Sequence, residues 1–127
     1  DLSVLIVEDE IYNYMYLRAL LGKLVKTIDH AFNGRDAIEL VKHNTYDLIL
    51  MDLKMPVMNG HDATIEIKKM YPDMMVIAQT AYSHQEEKDL ALLSGCDGYI
   101  TKPIIRDDIL NVIDQVVSHK RNKQTPL

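Results

Sequence analysis

The sequence predicts an α/β fold, a doubly wound parallel sheet with helices on both faces. Three observations predict it: five short runs of β-branched and aliphatic residues, helical spacing in the stretches between them, and glycines where one kind of segment gives way to the other. The runs are nearly all apolar, as strands buried on both sides must be. A chain of 127 residues has room for one such domain, and 47% apolar with 26% charged residues is a globular balance.

The first strand is Leu2 to Val7. After it, Tyr14, Leu17, Leu21 and Leu24 recur at steps of three and four and make one helical stripe, with Gly22 as punctuation. Thr27 to Phe32 is the second strand; Gly34 opens the stripe Ala37, Ile38, Val41. Asp47 to Met51 is the third, and past Gly60 come Ala63, Ile67 and Met70. Met75 to Ala78 is the fourth. The helix after it is the least regular, since Leu90, Leu92 and Leu93 cluster instead of striping, but Gly95 is placed to end it in a left-handed turn. Tyr99 to Thr101 is the fifth strand, followed by Ile109, Ile113, Val116 and Val117. The domain is expected to span 1–119, and the polar, basic 120–127 to be a frayed tail or linker stub.

Composition excludes several jobs. Fourteen Lys and Arg against 19 Asp and Glu give a net charge of -5 with no basic cluster in the body of the chain, which argues against direct contact with nucleic acid. The single cysteine, Cys96, rules out an intrachain disulfide framework and suits a reducing compartment. No apolar run approaches a membrane span and no signal peptide precedes the first strand, so a cytoplasmic domain without membrane contact is expected.

The polar residues fall at the strand ends. The first strand runs into Glu8, Asp9 and Glu10, the third into Asp52, the fourth into Gln79 and Thr80, the fifth into Thr101, Lys102 and Pro103. In an open parallel sheet the carboxyl ends share one edge, where ligands bind. One such position would be a polar loop residue; four converging ones predict an acidic pocket with one hydroxyl and one lysine. Like charges about 4 Å apart repel by roughly 1 kcal/mol in water and nearer 4 kcal/mol when partly buried. Lys102 offsets one charge, and a hard divalent cation held by oxygens, Mg²⁺, would offset the rest and bridge to a phosphoryl group. Asp52 is then the natural nucleophile, forming an acyl phosphate.

These residues resemble the receiver domain of two-component response regulators. The matching pieces are Val7-Glu8-Asp9, Met51-Asp52-Leu53-Lys54-Met55-Pro56 with Asn59-Gly60, Thr80-Ala81, and Lys102-Pro103, over about Leu2 to Val117. The resemblance implies a flavodoxin-like sheet in the order 2-1-3-4-5. It implies that Asp52 accepts phosphate from a histidine on a histidine kinase or histidine phosphotransfer domain. Asp9, Asp52 and the backbone carbonyl of Lys54 would hold Mg²⁺, with Glu8 helping through water. Lys102 would contact the phosphoryl oxygens, and the bond before Pro103 would be cis. Thr80 and Tyr99 would form the switch, the hydroxyl moving toward the phosphate and the ring following. A homodimer face on the fourth helix, fifth strand and fifth helix is a further implication. Glu8 departs from the family's frequent Asp, and Lys54 and Tyr82 occupy positions that tune phosphoryl loss.

The segments Met51 to Gly60 and Ala78 to Tyr82 look most like receivers of hybrid histidine kinases, and the chain begins with Asp1, so an excised hybrid-kinase receiver is expected; the alternative is a stand-alone regulator. The isolated domain is expected to be no enzyme beyond phosphorylating and dephosphorylating itself at Asp52. Tyr12 and Tyr16 share a helical face away from the first stripe, so Tyr12, Asn13 and Tyr16, with Pro103 and Ile104, are expected to contact the helix carrying the phosphodonor histidine; the plainer alternative is that the tyrosines cover the sheet edge. Cys96 reads as packing, the five histidines as surface or loop residues, and the seven methionines as filling core gaps and the loop after Asp52. An aspartate-nucleophile phosphatase would want an acid where Lys54 stands, and a flavin module would want a Gly-rich phosphate loop where Glu8-Asp9-Glu10 stands. A receiver that only docks is the remaining rival.

Overall fold

The computed structural model describes residues 1–55, 57–80 and 85–124, with residues 123 and 124 described by backbone alone. Strands and helices alternate: β1 Ser3–Val7, α1 Ile11–Leu21, β2 Thr27–Ala31, α2 Gly34–His43, β3 Leu48–Asp52, α3 Gly60–Met70, β4 Val76–Thr80, α4 Gln85–Leu93, β5 Gly98–Thr101 and α5 Arg106–Gln124. The strands form one parallel sheet in the order β2-β1-β3-β4-β5.

Alternation along the strands divides the core in two. Leu5, Val7, Ile49 and Met51 face one side, where Ala37, Val41, Ala63, Ile67 and Ala91 of α2, α3 and α4 cover them. Val4, Ile6, Leu48 and Leu50 face the other, under Tyr14, Leu17 and Leu21 of α1 and Ile109, Val112 and Val116 of α5. A strand covered on both faces has no solvent side, and every residue of β3 and β4 is buried.

Several expectations change. β2 lies at the sheet edge and reads Thr-Ile-Asp-His-Ala, half-exposed, so it is less apolar than its interior neighbours, and Phe32 falls outside it, 51% exposed. His30 is in this strand, half-buried, instead of in a loop: its ring stacks on Tyr14 with centroids 3.7 Å apart. Strand β4 runs two residues past the expected Ala78, because pairing with β5 continues through Gln79 and Thr80. The clustered leucines of α4 face outward, Leu92 at 58% and Leu93 at 80% exposure, while Glu87, Ala91 and Ser94 face in. Gly95 does end this helix with φ +98. Met15 and Met70 are exposed instead of filling core. Cys96 is buried, and burial pushes its thiol up. Helix α5 continues to Gln124, so the expected tail is helical for its first five residues, and residues 125–127 lie outside those described. No described helix is long and apolar enough to cross a membrane.

Candidate functional site

β1 and β3 are neighbours in the middle of the sheet with Val7 opposite Met51, so the next residues of each, Glu8 and Asp52, emerge side by side. Glu8 is fully buried, Asp52 is 5% exposed, and Asp9 is exposed. One carboxylate oxygen from each lies within 4.8 Å of the others. Lys102, just past β5, reaches back across β4: its Nζ is 3.2 Å from Asp52 Oδ2 and 3.3 Å from Glu8 Oε1. The Lys54 backbone N–H donates to Asp52 Oδ1 at 3.0 Å. Glu8 Oε2 accepts from the Glu10 backbone N–H at 3.1 Å, and Glu8 Oε1 accepts from the Asn13 side-chain amide.

The electrostatics follow from this crowding. Burial holds the Glu8 carboxyl above its usual range, and a hydrogen bond and charge from Asp52 push the same way, against Asn13 and the Glu10 N–H. For Lys102, burial pulls the ammonium down, but Asp52 and Glu8 together outweigh it and leave the group above its usual value. Three carboxylates against one close ammonium make an all-oxygen donor set with excess negative charge, and this fits a hard divalent cation. The cleft has a volume of about 230 Å³ and is also lined by Glu10, Lys54, Gln79 and Glu87. A larger cavity of about 400 Å³ opens at the opposite, amino edge of the sheet beside Tyr46, Tyr71 and His119, and includes none of these groups.

The loop behind Asp52 is set by Asn59 and Gly60. The Asn59 side chain accepts from the Asp62 N–H at 2.9 Å and caps α3, while the Gly60 N–H donates to the Leu53 carbonyl at 3.2 Å. A Cβ at position 60 would stand 2.1 Å from the Asp52 carbonyl oxygen, so only glycine fits.

Of the residues singled out in the sequence, the structure brings Glu8, Asp9, Asp52, Lys54 and Lys102 into this cleft. Thr80 does not line it: the side chain is fully buried and its hydroxyl donates to the Ile100 carbonyl at 3.3 Å. Gln79 is the residue paired in register with Asp52. Tyr99 is 41% exposed, with Lys88 Nζ 5.5 Å above its ring. Tyr12 is 78% exposed, and the Tyr16 hydroxyl donates to the Ile104 carbonyl. Two of the residues expected on the docking face are turned inward. Ile104 is 2% exposed because its side chain packs into the core under α5, and Asn13 is turned toward Glu8 and Gln79. The Lys102–Pro103 bond is cis. Pro56, Ala81 and Tyr82 lie outside the described residues.

Sequence reading missed Glu87, a buried carboxylate whose Oε1 is 3.3 Å from Lys54 Nζ at the rim of the cleft. Glu87, Ala91 and Ser94 share one i, i+4, i+7 face, but an acid, an alanine and a serine give that face little hydrophobic signal to mark it as inward.

The model of the response regulator receiver domain matches residues 4–114. The chain belongs to this family. As a receiver domain it is a phosphoacceptor of two-component signalling, and its fold is the family's. It is 35% identical to the chemotaxis protein CheY of Halobacterium salinarum over 91% of this chain and 97% of that one. Several other curated relatives are far longer, and this receiver spans between 4% and 29% of their length. Among solved structures it is similar, at TM-score 0.82 and 33% identity over 89% of this chain and 86% of the other, to a chain in the complex of the Saccharomyces cerevisiae histidine phosphotransfer protein Ypd1 with the receiver domain of the response regulator Ssk1. It is also similar, at TM-score 0.85 and 28% identity over 92% and 98%, to the receiver domain of a Pseudomonas aeruginosa sensor histidine kinase with a magnesium ion coordinated in its active-site cleft.

Proposed function

We propose that this receiver takes a phosphoryl group from a partner's phosphohistidine onto Asp52 in a magnesium-dependent step. The observation that carries the proposal is the gathering of Glu8, Asp9 and Asp52 within 4.8 Å, with Lys102 Nζ 3.2 Å from the acceptor carboxylate, at the carboxyl edge of the sheet.

Asp9, Asp52 and the Lys54 carbonyl would hold Mg²⁺, with Glu8 acting through water. When bound, Mg²⁺ supplies positive charge to the phosphoryl oxygens. A carboxylate oxygen of Asp52 attacks phosphorus, the new P–O bond forms as the P–N bond to imidazole breaks, and the imidazole leaves with the bonding pair. The Lys102 ammonium donates to the phosphoryl oxygens as charge accumulates there. The Lys54 N–H on Asp52 Oδ1 fixes the carboxylate's rotation and leaves Oδ2, beside Lys102, facing the incoming group. In the switch, the added charge draws the Thr80 hydroxyl off the Ile100 carbonyl, and Tyr99 turns inward from its half-exposed place. The docking face comprises Tyr12, Tyr16 and Pro103, with exposed Ile105 standing where Ile104 was expected. The face of α4, β5 and α5 reads out the switch, and sedimentation before and after phosphorylation tests whether a second copy docks there.

Likeness to a sensor-kinase receiver supports an origin in a hybrid histidine kinase; in that reading the domain would stand on the cytoplasmic side. The chemotaxis relative, covered to 97% of its length, supports the second reading, a stand-alone regulator.

The test is transfer from a radiolabelled histidine phosphotransfer protein. Label should move to this chain in Mg²⁺, stay on the donor in EDTA, and stay there with Asp52→Asn. Label accepted by Asp52→Asn as well as by the native chain would refute the assignment.

A further inference from the structure

Asn13 was expected on the docking face of α1, yet its side chain is half-buried and points into the sheet edge. There its amide donates to Glu8 Oε1 and, at 3.3 Å, to Gln79 Oε1. Gln79 is 1% exposed, and its own amide reaches the Leu50 carbonyl at 3.4 Å, so the end of β4 and the carbonyl of β3 anchor the chain of contacts. Glu8 is fully buried, so its carboxylate must take its donors from the protein. Among the described residues its donors are the Glu10 N–H, Lys102 and Asn13. Of these, Lys102 is shared with Asp52 and would turn to a phosphoryl group there. Asn13 is the side-chain donor that carries no charge and does not touch Asp52.

We infer that Asn13, braced by Gln79, is a positioning residue for the metal-dependent step: it aims the Glu8 carboxylate and so couples helix α1 to the acidic cluster. This rests on the phosphoacceptor reading for its purpose but on Mg²⁺ affinity for its test. Groups that orient a metal site from behind its ligands typically change affinity by roughly 10–100-fold when removed. A residue serving only as a docking contact leaves that affinity alone.

The experiment compares the native chain with Asn13→Leu, which keeps size and removes the donor, Asn13→Gln, which keeps the amide, and Gln79→Leu. Mg²⁺ dissociation constants come from calorimetric titration, and melting temperatures without metal report on folding. Phosphorylation is followed from acetyl phosphate and, separately, from a phosphorylated histidine phosphotransfer protein. The expected result is an Mg²⁺ dissociation constant roughly tenfold weaker in Asn13→Leu, weaker by a smaller factor in Gln79→Leu, and largely restored in Asn13→Gln. Uptake from acetyl phosphate should fall alongside transfer from the protein donor. Native Mg²⁺ affinity in folded Asn13→Leu, with only transfer from the protein donor slowed, would overturn the inference and make Asn13 a docking residue. Equal weakening in Asn13→Leu and Asn13→Gln would overturn it too, by showing a purely structural role. If the native chain binds Mg²⁺ but accepts phosphate from neither donor, the phosphoacceptor reading fails while the affinity comparison still decides the role of Asn13.

Discussion

Asp52 sits among two acids and one ammonium, and its charge is a cost to the metal-free fold. Asp52→Asn removes two repulsions at the expense of one attraction, so the metal-free variant should be more stable than the native chain by about 1 kcal/mol at neutral pH, as read by urea unfolding in EDTA. The pH dependence has a definite sign. An acid whose value is raised in the fold, as Glu8's is from 4.5, adds stability while protonated and loses that contribution as pH climbs from about 4.5 through the raised value. Because Asp52 is one cause of the rise, the stability gap between Asp52→Asn and the native chain should widen from pH 4.5 toward neutrality. A gap independent of pH would contradict the crowding. The raised ammonium of Lys102 keeps its contribution until pH climbs past 10.5, so it leaves this window undisturbed. Glu8, Asp9, Asp52 and Lys102 were legible in the sequence because each follows an apolar strand. The inward turn of Asn13 was not, since a half-buried amide on a helix looks like any polar surface residue until the strand beneath it is placed.

The segment after β3 and the helix α1 carry the next tests. Position 60 has no room for a Cβ against the Asp52 carbonyl, so Gly60→Ala should destabilise the chain by roughly 1–3 kcal/mol through overpacking and should displace the acceptor as well. Urea unfolding measures the first effect and Mg²⁺ affinity the second; a variant native in both would mean the loop yields freely. On α1, Tyr12→Ala removes an exposed ring, and Tyr16→Phe removes the hydroxyl bonded to the Ile104 carbonyl. Each should slow transfer from a histidine phosphotransfer protein severalfold more than it slows uptake from a small phosphodonor. Equal slowing would place these tyrosines inside the reaction instead of on the docking face. The stripe of α1 was readable because three of its four members lie on one buried face. That of α4 was not, because its leucines are outside and its inward positions are an acid, an alanine and a serine, residues with little hydrophobic signal.

The sheet as a whole was predictable from the interior strands, whose burial on both faces leaves only apolar choices. The edge strand β2 escaped that rule, since one side of it meets solvent and Asp29 and His30 are tolerated there. Strand order came from the family resemblance, not from composition or spacing, because the same five runs could be wound in other orders. A fold that gathers like charges at one edge should gain when a cation joins them: Mg²⁺ at ten times its dissociation constant should add about 1.4 kcal/mol, a rise in melting temperature of roughly 4 °C. The rise should vanish in Asp9→Ala. The most direct measurement is intact mass after incubation with a small phosphodonor and Mg²⁺. One added phosphoryl group should appear on the native chain and be absent from Asp52→Asn. No added mass on the native chain, or the same added mass on both, would contradict the account.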